Sequence, residues 1–330
     1  MSQVQRMKVM QYNILGRYFA FSKYFSYAWP YLGGGSAARN FCPAAKDAPQ
    51  LPTLLDWKMR LPMLARTCLE SDADILCLCE MDSYEDFRQS LGSAYDSYFA
   101  ARPGGRDDGS AIFWRKSILK LISAETLHYS GGSERVAAIC RLQNLHGQRF
   151  TVVGTHLYWK GSCPTQSREV DQLTAKLRAL LNRDEPVILC GDLNNHRDSD
   201  TFMRIRGCGM EDCFTAGGIK PPKYTSLVPP SYVLSSRSGD YRLLPGREDE
   251  IDYIFVASQS AEASIKVTDA TTVGSDHDES GNGVVTAADS RDPSIPERGI
   301  PNMSHASDHL PVMCEVELTG PSQGSVLGGC

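Results

Sequence analysis

Pro186-Val187-Ile188-Leu189-Cys190-Gly191-Asp192-Leu193-Asn194 reads as a short strand that stops at a glycine and sets an acid and an amide just beyond its end. The run over 186–190 is apolar and rich in β-branched residues, and it is too short for a typical helix. Gly191 and Asn194 both tolerate the left-handed backbone of a tight turn. Alone, this is ordinary turn chemistry. It decides the fold because it recurs. Residues 8–14 form a similar run with Asn13 near its end, residues 74–79 lead into Glu80, and residues 150–156 finish on His156. Asp252 lies at the start of the run 251–256, and Asp308-His309 stands just before the run 312–318. Runs 110–114 and 136–142 complete the set of predicted strands.

Between the strands lie helical patterns. Over 54–70, Leu55, Met59, Leu64 and Leu69 are expected on one face, and residues 171–181 repeat the theme. Strand and helix alternate, yet some neighbouring strands are joined by short turns such as Leu145-His146-Gly147-Gln148. That mixture predicts an α/β protein whose sheets pack face to face with helices outside, not a purely parallel doubly wound sheet. Strand ends far apart in sequence then converge on one rim. The carboxylate and amide oxygens there suit Mg²⁺, or Mn²⁺, and two histidines add proton donors.

Composition narrows the partners. The 330 residues are 42% apolar and 22% charged with a formal net charge of −5, an ordinary globular balance. That charge lacks the electrostatic footprint of a protein gripping long nucleic acid, but leaves room for a local basic pocket. No apolar run is long enough to span a bilayer, and the first residues lack a secretory pattern. Eleven cysteines, an odd number scattered through strand-like runs, read as free thiols in a reducing compartment, hence cytoplasm or nucleus. The final Gly-Gly-Cys330 does not fit a prenylation signal. No composition break divides the chain. Residues 1–320 are expected to form one domain with loop insertions at 16–53 and 274–301, and 321–330 a flexible tail.

The series Tyr12-Asn13, Cys79-Glu80, Thr155-His156-Leu157, Gly191-Asp192-Leu193-Asn194, Ile251-Asp252-Tyr253 and Ser307-Asp308-His309 closely resembles the motif series of the endonuclease/exonuclease/phosphatase superfamily. The resemblance runs over nearly the whole chain. Asp56-Trp57-Lys58-Met59-Arg60, Glu80-Met81-Asp82 with Phe87, Asp108-Gly109-Ser110, Tyr158-Trp159 and Ile300-Pro301-Asn302 are similar to segments of one branch. That branch holds the CCR4-type deadenylases, nocturnin, Angel proteins and the mitochondrial 2′-phosphodiesterase. The resemblance implies a DNase I-like four-layer α/β sandwich. It also departs in places: Cys79 stands where most relatives carry Gln, Asn195 where a small residue is usual, and Ala306 where Pro is common.

By this resemblance Glu80 is the principal Mg²⁺ ligand, with Asn13 close to the metal and the substrate. Asp192 and Asn194 would position the nucleophile or a second metal, and Asp308 would be a further metal or water contact. His309, oriented by Asp252, would sit against the scissile phosphate, and His156 would stabilise charge developing on it. Lys160, Arg168 and Thr225 are further candidates for substrate binding, the two cations through phosphate and Thr225 beside a base pocket. The aromatic cluster Tyr18, Phe19, Phe21, Tyr24, Phe25, Tyr27, Trp29 and Tyr31 reads as an insertion packing its own small core.

The expected activity is a 3′-to-5′ exoribonuclease with deadenylase-like preference, acting on an RNA 3′ end and releasing 5′-AMP. Two alternatives keep the chemistry. One is a small nucleotide substrate, either a 2′-phosphate on a dinucleotide cofactor or a 2′,5′-linked oligoadenylate. The other is a sphingomyelinase-like lipid phosphodiesterase that uses the aromatic cluster. A non-enzymatic binding module would have eroded metal or histidine positions, and none is eroded.

Overall fold

A computed structural model describes residues 3–20, 55–161, 163–228, 231–234, 241–258, 263–273, 276–277, 283–284, 300–301 and 305–320. The aromatic run from Phe21 to Tyr31, most of both expected insertions, Asn302 and the 321–330 tail lie outside the described residues.

The strands begin with β1 (Gln3–Asn13), β2 (Ile75–Cys79), β3 (Tyr95–Ala101), β4 (Gly109–Arg115), β5 (Leu119–His128) and β6 (Val136–Asn144). Next come β7 (Arg149–His156), β8 (Val187–Asp192) and β9 (Glu211–Asp212), then the short β10 (Ser226–Val228), β11 (Ser231–Leu234), β12 (Tyr241–Leu244) and β13 (Arg247–Asp249). The chain closes with β14 (Asp252–Ala257), β15 (Ser264–Thr272), the two-residue β16 (Asp276–His277) and β17 (Gly283–Val284), and β18 (Val312–Gly320). Two six-stranded mixed sheets result, in the orders β15-β18-β1-β2-β4-β3 and β5-β6-β7-β8-β14-β9. Each has one parallel pair at its centre, β1 with β2 and β7 with β8, and its other pairs are antiparallel.

Alternation along each strand sorts its side chains. Met7 and Val9 of β1, Ile75 and Cys77 of β2, Val152 of β7, Ile188 and Cys190 of β8 and Ile254 of β14 meet in the core between the sheets. Their intervening neighbours Met10, Tyr12, Leu76 and Leu78 pack outward against Leu64, Cys68 and Phe87 of helices Trp57–Glu70 and Tyr84–Leu91. On the other side Val153, Leu189 and Phe255 pack against Leu173 and Leu177 of helix Pro164–Leu181 and Phe202 of helix Asp200–Arg206. The layers run helix, sheet, sheet, helix. A buried side chain of this size contributes about 1.5–3 kcal/mol, so strands apolar on both faces are the most stabilising part of the molecule.

Of the twelve strands in the two large sheets, those predicted from sequence are the eight inner ones, and β3, β5, β9 and β15, which were not predicted, are the sheet edges; the short pairs β10–β13, β11–β12 and β16–β17 were not predicted either. The helical face needs correction. Met59 and Leu69 are 38% and 45% exposed, and the buried stripe of helix Trp57–Glu70 is Arg60, Leu64, Ala65 and Cys68. The second helix begins at Pro164, earlier than the apolar periodicity suggested, with Cys163 as its N-cap.

Candidate active site

The four central strands β1, β2, β7 and β8 all end at the same rim, and β14 and β18 start there because they run antiparallel to them. Register does the rest. Asn13 is opposite Cys79, His156 opposite Asp192, and Asp192 opposite Asp252. Parity also matters: two-residue steps from Val9, Val152, Cys190 and Ile254 arrive at Asn13, His156, Asp192 and Asp252. The face that packs the inter-sheet core thus becomes polar at its last step.

The turns leaving this rim are bent. Leu15, Glu80 and Asn194 have φ of 57°, 59° and 51°. For Leu15 and Glu80 this is an uncommon, strained backbone of the kind concentrated at functional sites, whereas Asn194 adopts it readily. Gly191 permits a close approach: a Cβ there would come within 2.6 Å of the Thr155 carbonyl oxygen.

A connected set of hydrogen bonds follows. Asn13 Nδ2 donates to Asp192 Oδ2 at 3.0 Å and to Glu80 Oε1 at 3.2 Å, while Gly16 N donates to Glu80 Oε2 at 2.8 Å. Asn194 N donates to Asp192 Oδ1 at 2.8 Å. Asn194 Nδ2 donates to the Leu157 carbonyl and lies 3.0 Å from His156 Nε2. The carbonyl contact identifies that atom as the amide nitrogen, so His156 Nε2 accepts and its proton sits on Nδ1, 3.9 Å from Glu80 Oε1.

His309 is held differently. Its Nδ1 is 2.7 Å from Asp252 Oδ2, which also accepts from Thr225 Oγ1 at 2.8 Å, and its Nε2 lies 3.8 Å from Asp192 Oδ2. Ser307 Oγ donates to the Asn13 carbonyl at 2.6 Å and accepts from His309 N at 3.2 Å, tying the loop before β18 to the end of β1.

The two histidines are driven apart in charge. Burial lowers the pKa of His156, and Arg135 lowers it further, so its imidazole is neutral. Burial would also lower that of His309, but Asp252, Asp308 and Asp192 more than reverse this and hold it well above the usual range. Asp192 is pushed up to about 7 by burial and then by the charge of Asp252. Burial raises Glu80 as well, with Asp308 adding to the effect.

Buried carboxylates at one rim form a donor set that a hard divalent cation would complete. Asp308 Oδ1 is buried with no hydrogen-bond partner among the described residues, and Glu80 and Asp308 line the same cavity of about 520 Å³ as Asp192 and His309. Asp192, Asp252 and His309 also lie within 4.8 Å of one another. The Asp252–His309 bond occupies the atoms between those two, so a cation would be left with the cavity-lining carboxylates Glu80, Asp192 and Asp308.

A model of the endonuclease/exonuclease/phosphatase family matches residues 10–277. The chain belongs to this family. The Saccharomyces cerevisiae CCR4-Not complex 3′-5′-exoribonuclease subunit Ccr4 is 23% identical over 327 residues, covering 82% of this chain and 36% of its own length. Human nocturnin is 23% identical, covering 96% and 66% respectively. The chain spans 36% of the yeast Ccr4 subunit and 22% and 44% of two other similar curated relatives, well short of their full length. The human nocturnin catalytic domain with bound sulfate has the same fold, with a TM-score of 0.62 at 19% identity and coverage of 96% and 97%. So does ANGEL2, described as a 2′,3′-cyclic phosphatase, with a TM-score of 0.61 at 18% identity and the same coverage.

This family member brings Asn13, Glu80, His156, Asp192, Asn194, Asp252, Asp308 and His309 to one rim. It does not bring Lys160 or Arg168 there. Both are exposed and neither lines the cavity. Thr225 is buried behind Asp252, and besides accepting from Ile251 N and Asp252 N it donates to that carboxylate. It therefore holds Asp252 in place, while Tyr224 packs with Leu227, Ile300 and Leu310. The departures have local explanations. Cys79 Sγ donates to the Thr155 carbonyl at 3.1 Å, and Gln11 Nε2, one layer below Asn13, reaches Cys79 Sγ and Asp252 Oδ1 at 3.4 Å each. Asn195 donates to Gln166 Oε1 at 2.7 Å and locks the turn after β8, and the Ala306 carbonyl accepts from Arg60.

Several residues escaped the sequence reading. Arg60 is fully buried and donates to the carbonyls of Ile14, Leu15 and Ala306, clamping the loops that carry Glu80's neighbours and His309. Gln166, not Arg168, is the residue of its helix that supports the site, donating to the Tyr158 and Leu193 carbonyls. Arg135 lines the cavity. Arg60 stood in a segment similar to one branch of the family without a role attached to it, and for Arg135 and Gln166 a cation or amide beside an apolar run was the only signal.

Proposed function

We propose that this chain is a divalent-metal-dependent phosphoester hydrolase acting on RNA 3′ ends, with a deadenylase-like preference and release of 5′-AMP. The observation that carries the hydrolase reading is the charged His309, held by Asp252, facing Asp192 across a cavity that Glu80 and Asp308 also line. A divalent cation held by Glu80, Asp192 and Asp308 would neutralise charge on the phosphoryl oxygens. The remaining chemistry belongs to the chain. His309 already carries its proton, so it donates to the phosphate oxygens instead of acting as a base. Asp192, held by Asn13 and Asn194, accepts the proton of the attacking water. Neutral His156 presents one hydrogen-bonding proton without adding a charge.

The cavity of about 520 Å³ suits one nucleotide, and Phe19 and Trp159 at its wall supply faces on which a base can stack. The 3′-5′-exoribonuclease activity of the yeast relative supports an RNA end as substrate. The net charge of −5 favours a second reading, a small nucleotide bearing a phosphoester.

The test is product analysis with Mg²⁺ on 3′-oligoadenylated RNA, mixed-sequence RNA, 2′,5′-oligoadenylate, NADP and sphingomyelin. Stepwise AMP release is expected, reduced at least ~100-fold in Glu80→Ala and His309→Ala. Turnover of NADP or 2′,5′-oligoadenylate alone would replace the RNA reading with the small-nucleotide one. Near-normal activity in both variants would remove the assigned site.

A further inference from the structure

Arg135 stands at the substrate cavity with an unmet need. Its side chain is 6% exposed, and its Nε is buried without a hydrogen-bond partner among the described residues. A buried cation with an open donor is costly, and such groups in proteins are normally paired. Burial disfavours the charge on Arg135 and a second buried guanidinium, Arg102, adds to this, while the carboxylates of Glu80, Asp108 and Asp192 offset part of it.

That second arginine is what builds the site. Arg102 forms two hydrogen bonds to Asp108, at 2.9 and 3.2 Å, and donates at 3.0 Å to the carbonyls of both Ser133 and Glu134. Ser133 Oγ accepts from Arg135 N at 3.2 Å, and Glu134 is forced to φ of 56°. The loop before β6 is therefore clamped and strained so that Arg135 leaves it in one direction. Because Ala137 pairs with Thr155, Arg135 emerges on the rim beside His156, and it lines the cavity shared by Glu80, Asp192 and His309.

We propose that Arg135 binds the non-bridging oxygens of the phosphoryl group attacked in this cavity. The assignment rests on the phosphoester-hydrolase reading above. It gives the phosphate-binding role to a residue on the loop before β6, in place of the exposed Lys160 and Arg168. A guanidinium offers two parallel donors to two phosphoryl oxygens, which a lysine cannot reproduce. The anion would supply the missing partner for Nε and offset the repulsion from Arg102.

Inorganic phosphate is the probe, titrated calorimetrically into the full chain in Mg²⁺ buffer, with Mn²⁺ binding followed separately by electron paramagnetic resonance. Arg135→Gln is expected to weaken phosphate binding by about 10- to 100-fold, the loss of one charge-assisted pair. Arg135→Lys, which keeps the charge, is expected to lose roughly tenfold through loss of the fork. Mn²⁺ affinity should stay within about twofold of the parent in both. Unchanged phosphate affinity in folded Arg135→Gln overturns the proposal. If that variant does not fold, unchanged affinity in Arg135→Lys overturns it instead. Phosphate binding is read without turnover, so a chain that hydrolyses nothing on the panel would sink the hydrolase reading and leave this result interpretable.

Discussion

Asp192 and His309 titrate in the same direction for different reasons. Burial beside Asp252 holds the Asp192 carboxyl at about 7, and surrounding carboxylates hold the His309 imidazole well above its usual range. Each group binds its proton more tightly in the folded chain than in the unfolded one, so without a divalent cation stability falls as pH rises. For Asp192 the penalty is absent below the ordinary carboxylate pKa of about 3.9, grows as pH rises and is complete above about 7. For His309 the stabilisation is full below about 6.5 and disappears only as pH passes its raised folded pKa. Thermal unfolding in EDTA should therefore show a melting temperature that drops between pH 5 and pH 8. Mg²⁺ should restore it at pH 8 and do little at pH 5, and Asp192→Asn should flatten the EDTA profile. A flat parent profile in EDTA would mean that these groups do not carry the shifts.

Helix Trp57–Glu70 shows why one element was only half legible. Its apolar pattern located the helix, but it put Met59 on the core face and left Arg60 unassigned. The structure buries Arg60 and exposes Met59, because Arg60 reaches backbone carbonyls at Ile14, Leu15 and Ala306 that no apolar side chain could satisfy. Arg60→Ala leaves three buried carbonyls without that donor and is expected to cost about 3 kcal/mol or more in urea unfolding. Met59→Lys, at an exposed position, should change stability by less than about 0.5 kcal/mol. If the two variants cost the same, the clamp is not what holds these loops. The strands tell the same story from the other side. Inner strands such as β2, with Ile75 to Cys79 all buried, are apolar on both faces and stand out in sequence. Edge strands such as β5, with a mostly exposed or half-exposed pattern, look like polar loops.

At the scale of the whole molecule, the two sheets set the candidate residues around a cavity of about 520 Å³ at one rim, and the net charge of −5 favours contacts confined to it. Substrate contacts should then end within about two phosphates. The KM for oligoadenylates of 3 and 20 nucleotides should agree within about threefold, and raising salt from 50 to 200 mM should cost under about tenfold in kcat/KM. A steep salt dependence or a large gain with length would indicate a binding track outside the cavity. The sequence by itself determined the family, the inner strands and the acids and histidines at their ends, because strand propensity, alternation and motif order are local properties of the chain. Only the tertiary structure decided which cations are buried near the rim and which are exposed away from it. Arg60, Arg135, Lys160 and Arg168 are equivalent as letters. What separates them is burial and the carbonyls or carboxylates nearby, which other elements of the fold bring to them.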